Sequence, residues 1–136
     1  MYEDESDFLD INASDINIPG VDAELGSGIY GGEMDIYISA LRSFSTHIPA
    51  ALNDLGNVSE ETLPDYAATV HGLKGTCAGI GAEDIKGRAY DLEMKAKAGD
   101  LAGVLALNKG LVEDAEKLVS DVQAWLDRLV NQAAGK

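Results

Sequence analysis

A histidine, a lysine and a glycine lie close together in the stretch "HGLKGTCAGIG", which runs from His71 to Gly81. At roughly 100° per residue, an α-helix would bring His71, Lys74 and Gly75 onto the same side of the chain. A neutral imidazole nitrogen is a good nucleophile near neutral pH, and a lysine ammonium beside it would stabilise a phosphoryl group. The residue types and their spacing therefore fit a histidine that carries a phosphoryl group.

The glycines of this stretch are costly, because a glycine inside a helix lowers its stability by about 1 kcal/mol relative to alanine. Gly75 lies one turn after His71 and would leave the helix surface beside the ring bare, so that another molecule could approach the imidazole. Ala78 would continue that cleared surface. Gly79 and Gly81 are interpreted as residues that end the helix.

No nucleotide-binding motif accompanies this histidine. The chain contains neither a GxxxxGK[ST] phosphate-binding loop nor a kinase-type glycine loop, and no group of aspartates shares the face of His71. We therefore expect the chain to hold no cofactor and no metal of its own. A partner would have to supply both the phosphoryl group and the metal ion.

Four amphipathic segments would position this histidine. Apolar residues recur every three or four positions, which predicts helices over about 33–55 and 64–78, a third that ends at "AGD", and a long fourth that begins near Asp100. These helices and their short connections predict an all-α fold, an up-down-up-down antiparallel four-helix bundle preceded by a short helical or irregular segment. The predicted apolar stripe of the fourth helix comprises Val104, Leu107, Leu111, Ala115, Leu118, Val122, Leu126 and Leu129.

The charge of the chain is uneven. The net charge is -14, and ten of the 24 acidic residues but none of the basic ones precede residue 42. We predict an acidic flexible leader at 1–15, one bundle domain at 16–131 and a tail at 132–136. Nucleic acid and anionic membrane surfaces are poor partners for such a chain, because both require basic surfaces.

The compartment is predicted from what the sequence lacks. No stretch approaches the roughly 20 apolar residues of a membrane-spanning helix. The acidic first residues do not match a secretory signal, and the single Cys77 cannot form an internal disulfide. We expect a cytoplasmic monomer in which Cys77 packs in the core. The second histidine, His47, has no lysine-glycine companion, and we assign it a structural or exposed role.

The sequence "HGLKGTCAGIGA" resembles the signature of histidine-containing phosphotransfer (HPt) domains. That signature is a histidine, two residues, a lysine and a glycine, and then an Ile-Gly-Ala element that opens the next helix. The similarity continues into "AYDLEMKAKAGD". Upstream, "IPGVDAELG" and "YGGEMDIYISALRSF" resemble the lead-in of HPt domains at the ends of hybrid sensor histidine kinases. Gly72 departs from the pattern, because a larger residue usually follows the histidine.

The resemblance implies that His71 accepts a phosphoryl group from the aspartyl phosphate of a response-regulator receiver domain and returns it to another receiver. The receiver would supply the magnesium ion. Lys74 would support the phosphoryl group electrostatically, and Gly75 would give the partner access. The partner would contact Ala67, Ala68 and Ala78.

The sequence leaves open the roles of two residues of the third predicted helix. The resemblance implies that Glu93 orients the imidazole from the neighbouring helix and that Lys97 adds positive charge. Four residues apart on one helix, Glu93 and Lys97 could equally form a surface ion pair that contributes a few tenths of a kcal/mol. Both interpretations stay open at this point.

Two other functions remain as alternatives. The chain could be the histidine-bearing domain of a chemotaxis-type kinase, phosphorylated by an ATP-binding domain. It could also be a helical interaction module whose histidine is never phosphorylated. The hybrid-kinase-like lead-in favours the phosphorelay carrier over the first of these.

Overall fold

The computed structural model describes residues 11–134, with side chains as far as residue 131. Helices account for the regular structure of this range, which holds no strand, so the predicted all-α fold is confirmed. A 3-10 helix comes first, at Ala13–Asp15. The α-helices follow as α1 Ala23–Gly28, α2 Met34–Asp54, α3 Leu63–Ala78, α4 Glu83–Lys97 and α5 Leu101–Ala134.

The four long helices form the predicted bundle. α3 packs most extensively against α4, α5 packs against both α2 and α4, and α2 also packs against α3. The connections between consecutive helices are short, so successive helices run in opposite directions. No helix in the described part of the chain is long and apolar enough to span a membrane.

The apolar periodicity of the helices explains what the core contains. On α3 the side chains of Tyr66, Val70, Leu73 and Cys77 are all buried, which leaves His71 on the outer surface. Fully burying one such apolar side chain contributes about 1.5–3 kcal/mol. The core also takes up Trp125, the only tryptophan, near the end of α5.

One position of the predicted α5 stripe is wrong. Leu107 is 48% exposed, whereas Val104 and Leu111 on either side of it are fully buried. Residues seven apart in a helix differ by only about 20° in direction, but Leu107 lies about 60° away from Val104. Leu107 therefore lies at the edge of the buried stripe, on the flank of α5.

Near both ends of the described range, helical or packed residues lie inside the segments predicted as leader and tail. Residues 1–10 of the predicted leader lie outside the described residues, but Ile11 and Ala13 pack against the core and are half-buried. The Asn12 amide donates to the Asp15 carboxylate at 3.0 Å, which helps to hold the 3-10 helix. At the other end α5 continues to Ala134, into the predicted tail, because its helical pattern does not end at residue 131.

α1 lies against the turn that joins α3 to α4, and glycines allow the close contact. Gly81 has a φ of +83°, a conformation that favours glycine, and its carbonyl accepts a hydrogen bond of 2.9 Å from the Asp22 amide. A Cβ atom on Gly81 would overlap the carbonyl oxygen of Asp22. A Cβ atom on Gly26 would lie 2.5 Å from the carbonyl oxygen of Ile80. The backbones of α1 and the turn therefore touch directly.

Two tyrosines, one just before α2 and one within it, also bond to this turn. The Tyr37 hydroxyl donates to the carbonyl of Ile80 and the Tyr30 hydroxyl donates to the carbonyl of Gly79, each at 2.8 Å. Tyr37 is fully buried, and burial raises the pKa of its phenol, which therefore stays protonated and remains a donor. These bonds satisfy carbonyl groups that the end of α3 leaves without helical partners. They also hold the start of α4 at a fixed distance from α3.

Candidate functional site

His71 projects from the outer surface of α3, with 64% of its side chain exposed. Its helical neighbours Val70 and Leu73 are buried on the opposite side and anchor that part of α3 in the core. The ring therefore stands on a rigid helix and is still accessible to another molecule. This is the exposed position that the sequence predicts for it.

Glu93 on α4 is hydrogen-bonded to the ring. Its side chain is 1% exposed, and its Oε2 lies 2.8 Å from the Nδ1 atom of His71. An ionised carboxylate can only accept hydrogen bonds, so Nδ1 must be the donor and carries the proton. The other ring nitrogen, Nε2, then holds a free lone pair. The carboxylate of Glu93 is therefore buried and bonded to the ring, so a surface ion pair with Lys97 does not by itself describe it.

Two lysines neutralise this buried carboxylate. Lys74 Nζ lies 2.8 Å from Oε1 of Glu93, and Lys97 Nζ lies 2.8 Å from Oε2. These hydrogen bonds, first that of Lys74 and then that of Lys97, lower the pKa of Glu93 from the ordinary 4.5 to about 2. Glu93 is therefore ionised at neutral pH, and the two lysines leave the cluster with one net positive charge.

Lys74 is held more tightly than Lys97. Only 24% of its side chain is exposed, against 58% for Lys97. Its ammonium also lies 5.2 Å from the ring centroid of Tyr90, within the range of a cation–π interaction. The sequence analysis missed Tyr90. An aromatic residue one turn before Glu93 on the same helix is the signal that could have identified it.

The surface beside His71 is open at two glycines. A Cβ atom added to Gly72 or to Gly75 would meet no atom of the described residues within 4 Å. Nothing in the packing of the bundle therefore requires a glycine at position 75. The unusual residue at position 72 does not disturb the helix, since α3 continues without interruption from Leu63 to Ala78.

An open groove with a volume of about 700 Å³ lies between α3 and α4, with His71 and Glu93 in its lining. Its walls are mostly apolar, and its other lining residues are Glu60, Leu63, Pro64, Ala67, Ala68, Ala96, Lys97 and Gly99. Two of the three predicted partner-contact residues, Ala67 and Ala68, thus line the groove. The third, Ala78, is half-buried further along α3 and does not.

The other candidate residues lie away from this site. His47 is exposed on α2, and its Nδ1 lies 2.9 Å from the carbonyl oxygen of Ser43. Cys77 is fully buried, and burial raises the pKa of its thiol to about 12, which keeps it protonated and unreactive. Among the residues that the structure describes, no three His, Cys, Asp or Glu side chains are grouped so that they could hold a metal ion.

The arrangement brings together five of the residues that the sequence singled out: His71, Lys74, Gly75, Glu93 and Lys97. Comparison with known proteins gives one match. A family model described as "Hpt domain" matches residues 39–132, which is more than half of the chain and includes all five residues. No curated protein and no solved structure matches the chain significantly.

Proposed function

The chain belongs to the Hpt domain family, and on that premise we propose that His71 accepts a phosphoryl group from the aspartyl phosphate of one receiver domain and passes it to the aspartate of another. Hpt domains carry out histidine phosphotransfer in the phosphorelays of two-component signalling, where they interact with receiver domains. The observation that carries the assignment to His71 is the hydrogen bond between its Nδ1 and the buried Glu93, which leaves Nε2 free on an exposed ring.

The chemistry requires a nucleophile with a defined lone pair. Nε2 of His71 attacks the phosphorus of the aspartyl phosphate, a nitrogen–phosphorus bond forms, and the phosphorus–oxygen bond to the aspartate breaks with its electron pair staying on the carboxylate. The reverse sequence on a second receiver returns the phosphoryl group. We expect the receiver to supply the magnesium ion that assists both steps.

The residues around His71 would support this transfer in different ways. Lys74 and Lys97 supply positive charge next to the incoming phosphoryl group. Gly75 leaves the partner free to approach along α3. The groove lined by Ala67 and Ala68 offers an apolar contact surface for the receiver.

The proposal extends to the cellular setting. We propose that the protein acts as a monomer in the cytoplasm, with receivers that include that of a hybrid sensor histidine kinase. The choice of a hybrid kinase is supported by the lead-in sequence "IPGVDAELG" upstream of the bundle, which resembles that of HPt domains in such kinases.

A labelled transfer assay tests the proposal. Receiver domains from the same organism, phosphorylated on aspartate with radiolabelled acetyl phosphate, are mixed with the purified protein. Label should move to the wild-type protein and to the matched variant His47→Gln, but not to His71→Gln. His47 and His71 are both exposed histidines on outer helix surfaces, so the pair isolates the site.

Two outcomes would overturn it. If label reaches the protein only from ATP through a kinase domain, the chain is the histidine-bearing domain of a chemotaxis-type kinase. If no label reaches it by either route, the chain is an interaction module.

A further inference from the structure

The hydrogen bond to Nδ1 of His71 could be made by any acceptor oxygen, and a neutral amide would be enough to fix the ring. The chain instead places a carboxylate there, in a side chain that is 1% exposed. Burying a charge is unfavourable unless it is paired and hydrogen-bonded. Lys74 and Lys97 provide that pairing, so three positions are committed to keeping one negative charge beside the ring.

Among the side chains of residues 11–131, two further titratable groups are relevant to the surroundings of His71. Glu60 lines the groove from the segment before α3, and Tyr90 on α4 lies beyond Lys74. Neither makes a hydrogen bond to the imidazole, whereas Glu93 does. The negative charge that acts directly on Nδ1 is therefore that of Glu93.

The charge matters once the ring is phosphorylated. When Nε2 has bonded to phosphorus and Nδ1 has kept its proton, the ring is a cation. On transfer, the nitrogen–phosphorus bond breaks, its electron pair returns to Nε2, and a bond forms between phosphorus and an oxygen of the acceptor. The group that leaves is neutral imidazole if Nδ1 is protonated. If Nδ1 has lost its proton, the leaving group is an imidazolate anion, which departs far more slowly.

We propose that Glu93 holds the proton on Nδ1 of phosphorylated His71, and so sets the highest pH at which the phosphoryl group is released. A carboxylate stabilises the ring cation, whereas an amide would accept the same hydrogen bond without balancing the charge. The ring then begins and ends each cycle with its proton on Nδ1, as in the resting structure. The inference rests on phosphorylation of His71, but not on the identity of the receiver.

The test uses the whole chain without a receiver. The protein is phosphorylated with phosphoramidate, a small phosphoryl donor, and the rate of phosphate release is followed from pH 5 to 10 alongside the ¹⁵N NMR signal of the ring. In Glu93→Gln both profiles should move to lower pH, with release about tenfold slower at a pH above the wild-type midpoint, the factor that separates a charged from a neutral hydrogen bond. Glu83→Gln, which removes a carboxylate that lies outside the groove and pairs with Lys86 at the start of α4, should leave both profiles in place.

A second variant keeps the proposal testable if Glu93→Gln does not fold. Lys97→Gln changes a side chain that is 58% exposed and frees Oε2 for His71 alone, so both profiles should move to higher pH. Unchanged profiles in both variants would overturn the proposal, as would an equal shift in Glu83→Gln. Phosphorylation by phosphoramidate without exchange with any receiver would refute the proposed function and still leave these profiles to decide the role of Glu93.

Discussion

Gly75 and Gly81 are six residues apart in the same motif, but they belong to two regions with opposite requirements. Gly75 lies on the open face around His71, where an added Cβ atom would meet nothing within 4 Å. Gly81 lies in the turn between α3 and α4, where the same atom would overlap the backbone of Asp22 and the φ of +83° excludes most side chains. The turn needs its glycine in order to fold. The open face does not, so the packing of the bundle gives no reason for the cost of Gly75 to the helix, and the proposed access of a partner would supply one.

The largest expected effect is in the turn. Gly81→Ala should destabilise the protein by about 3 kcal/mol or more, because the substitution combines overpacking against α1 with a strained backbone conformation. Urea denaturation followed by circular dichroism measures the loss. A loss below about 1 kcal/mol would show that α1 moves away easily and that the contrast between the two regions is wrong.

The next largest effect is expected at Glu93, because its ion pairs stabilise the otherwise open face around His71. Its pKa of about 2 lies below the ordinary 4.5, so its ion pairs contribute fully above pH 4.5 and are lost as the pH falls towards 2. Glu93→Gln should be less stable than wild type by about 2 kcal/mol at pH 7, and the difference should vanish near pH 2. Urea midpoints across this pH range measure both.

The control for Glu93 is a glutamate on the same helix. Glu83→Gln removes a half-exposed carboxylate that pairs with Lys86 at 3.3 Å, and it should change stability by less than about 0.5 kcal/mol at any pH. A gap between Glu93→Gln and wild type that stays constant down to pH 2 would contradict the role of the ion pairs.

A smaller effect separates the two tyrosines that hold the turn. Tyr37→Phe should cost about 1.5 kcal/mol, because it leaves the buried carbonyl of Ile80 without its donor. Tyr30→Phe should cost less, since Tyr30 is only half-buried and water can replace its hydroxyl. Thermal unfolding of both variants gives the comparison, and equal losses would argue against the greater importance of the buried bond.

The smallest effect has the opposite sign. Gly75→Ala should stabilise the protein by about 1 kcal/mol, because alanine favours the helix and no neighbour obstructs its Cβ atom. Phosphoryl transfer from a receiver should nevertheless become slower, since the methyl group would occupy the path of approach to His71. Gly72→Ala is the matched control, with the same gain in stability and a smaller change in rate. Equal rates in both variants would remove the functional explanation for Gly75.

The sequence predicted the fold well because the apolar periodicity that identifies each helix involves only residues close together in the chain. The period of apolar residues located the first three long helices and the start of the fourth to within about two residues, and put His71 on the side of α3 opposite the buried Val70 and Cys77. What it could not decide depends on contacts between elements. The spacing of Glu93 and Lys97 fits an exposed pair as well as a buried one, and only the packing of α4 against α3 distinguishes them.

Other differences have the same origin. Gly81 was interpreted as a helix terminator, which fits its positive φ, but its contact with Asp22 joins residues far apart in the chain and has no sequence signal. The packing of Ile11 against the core was not predicted, because the acidic residues around it indicated a solvated leader. Tyr90 was missed because its interaction is with Lys74 on another helix.

The hydrogen bonds that residues before position 39 make to the turn between α3 and α4 affect how short a folded fragment of the protein can be. The family match begins at residue 39, yet Asp22, Tyr30 and Tyr37, which bond to that turn, all precede it. A fragment trimmed to 39–132 would keep every residue of the phosphoryl site and lose the supports that fix the start of α4. We therefore expect the smallest stably folded unit to be longer than the stretch that the family model matches.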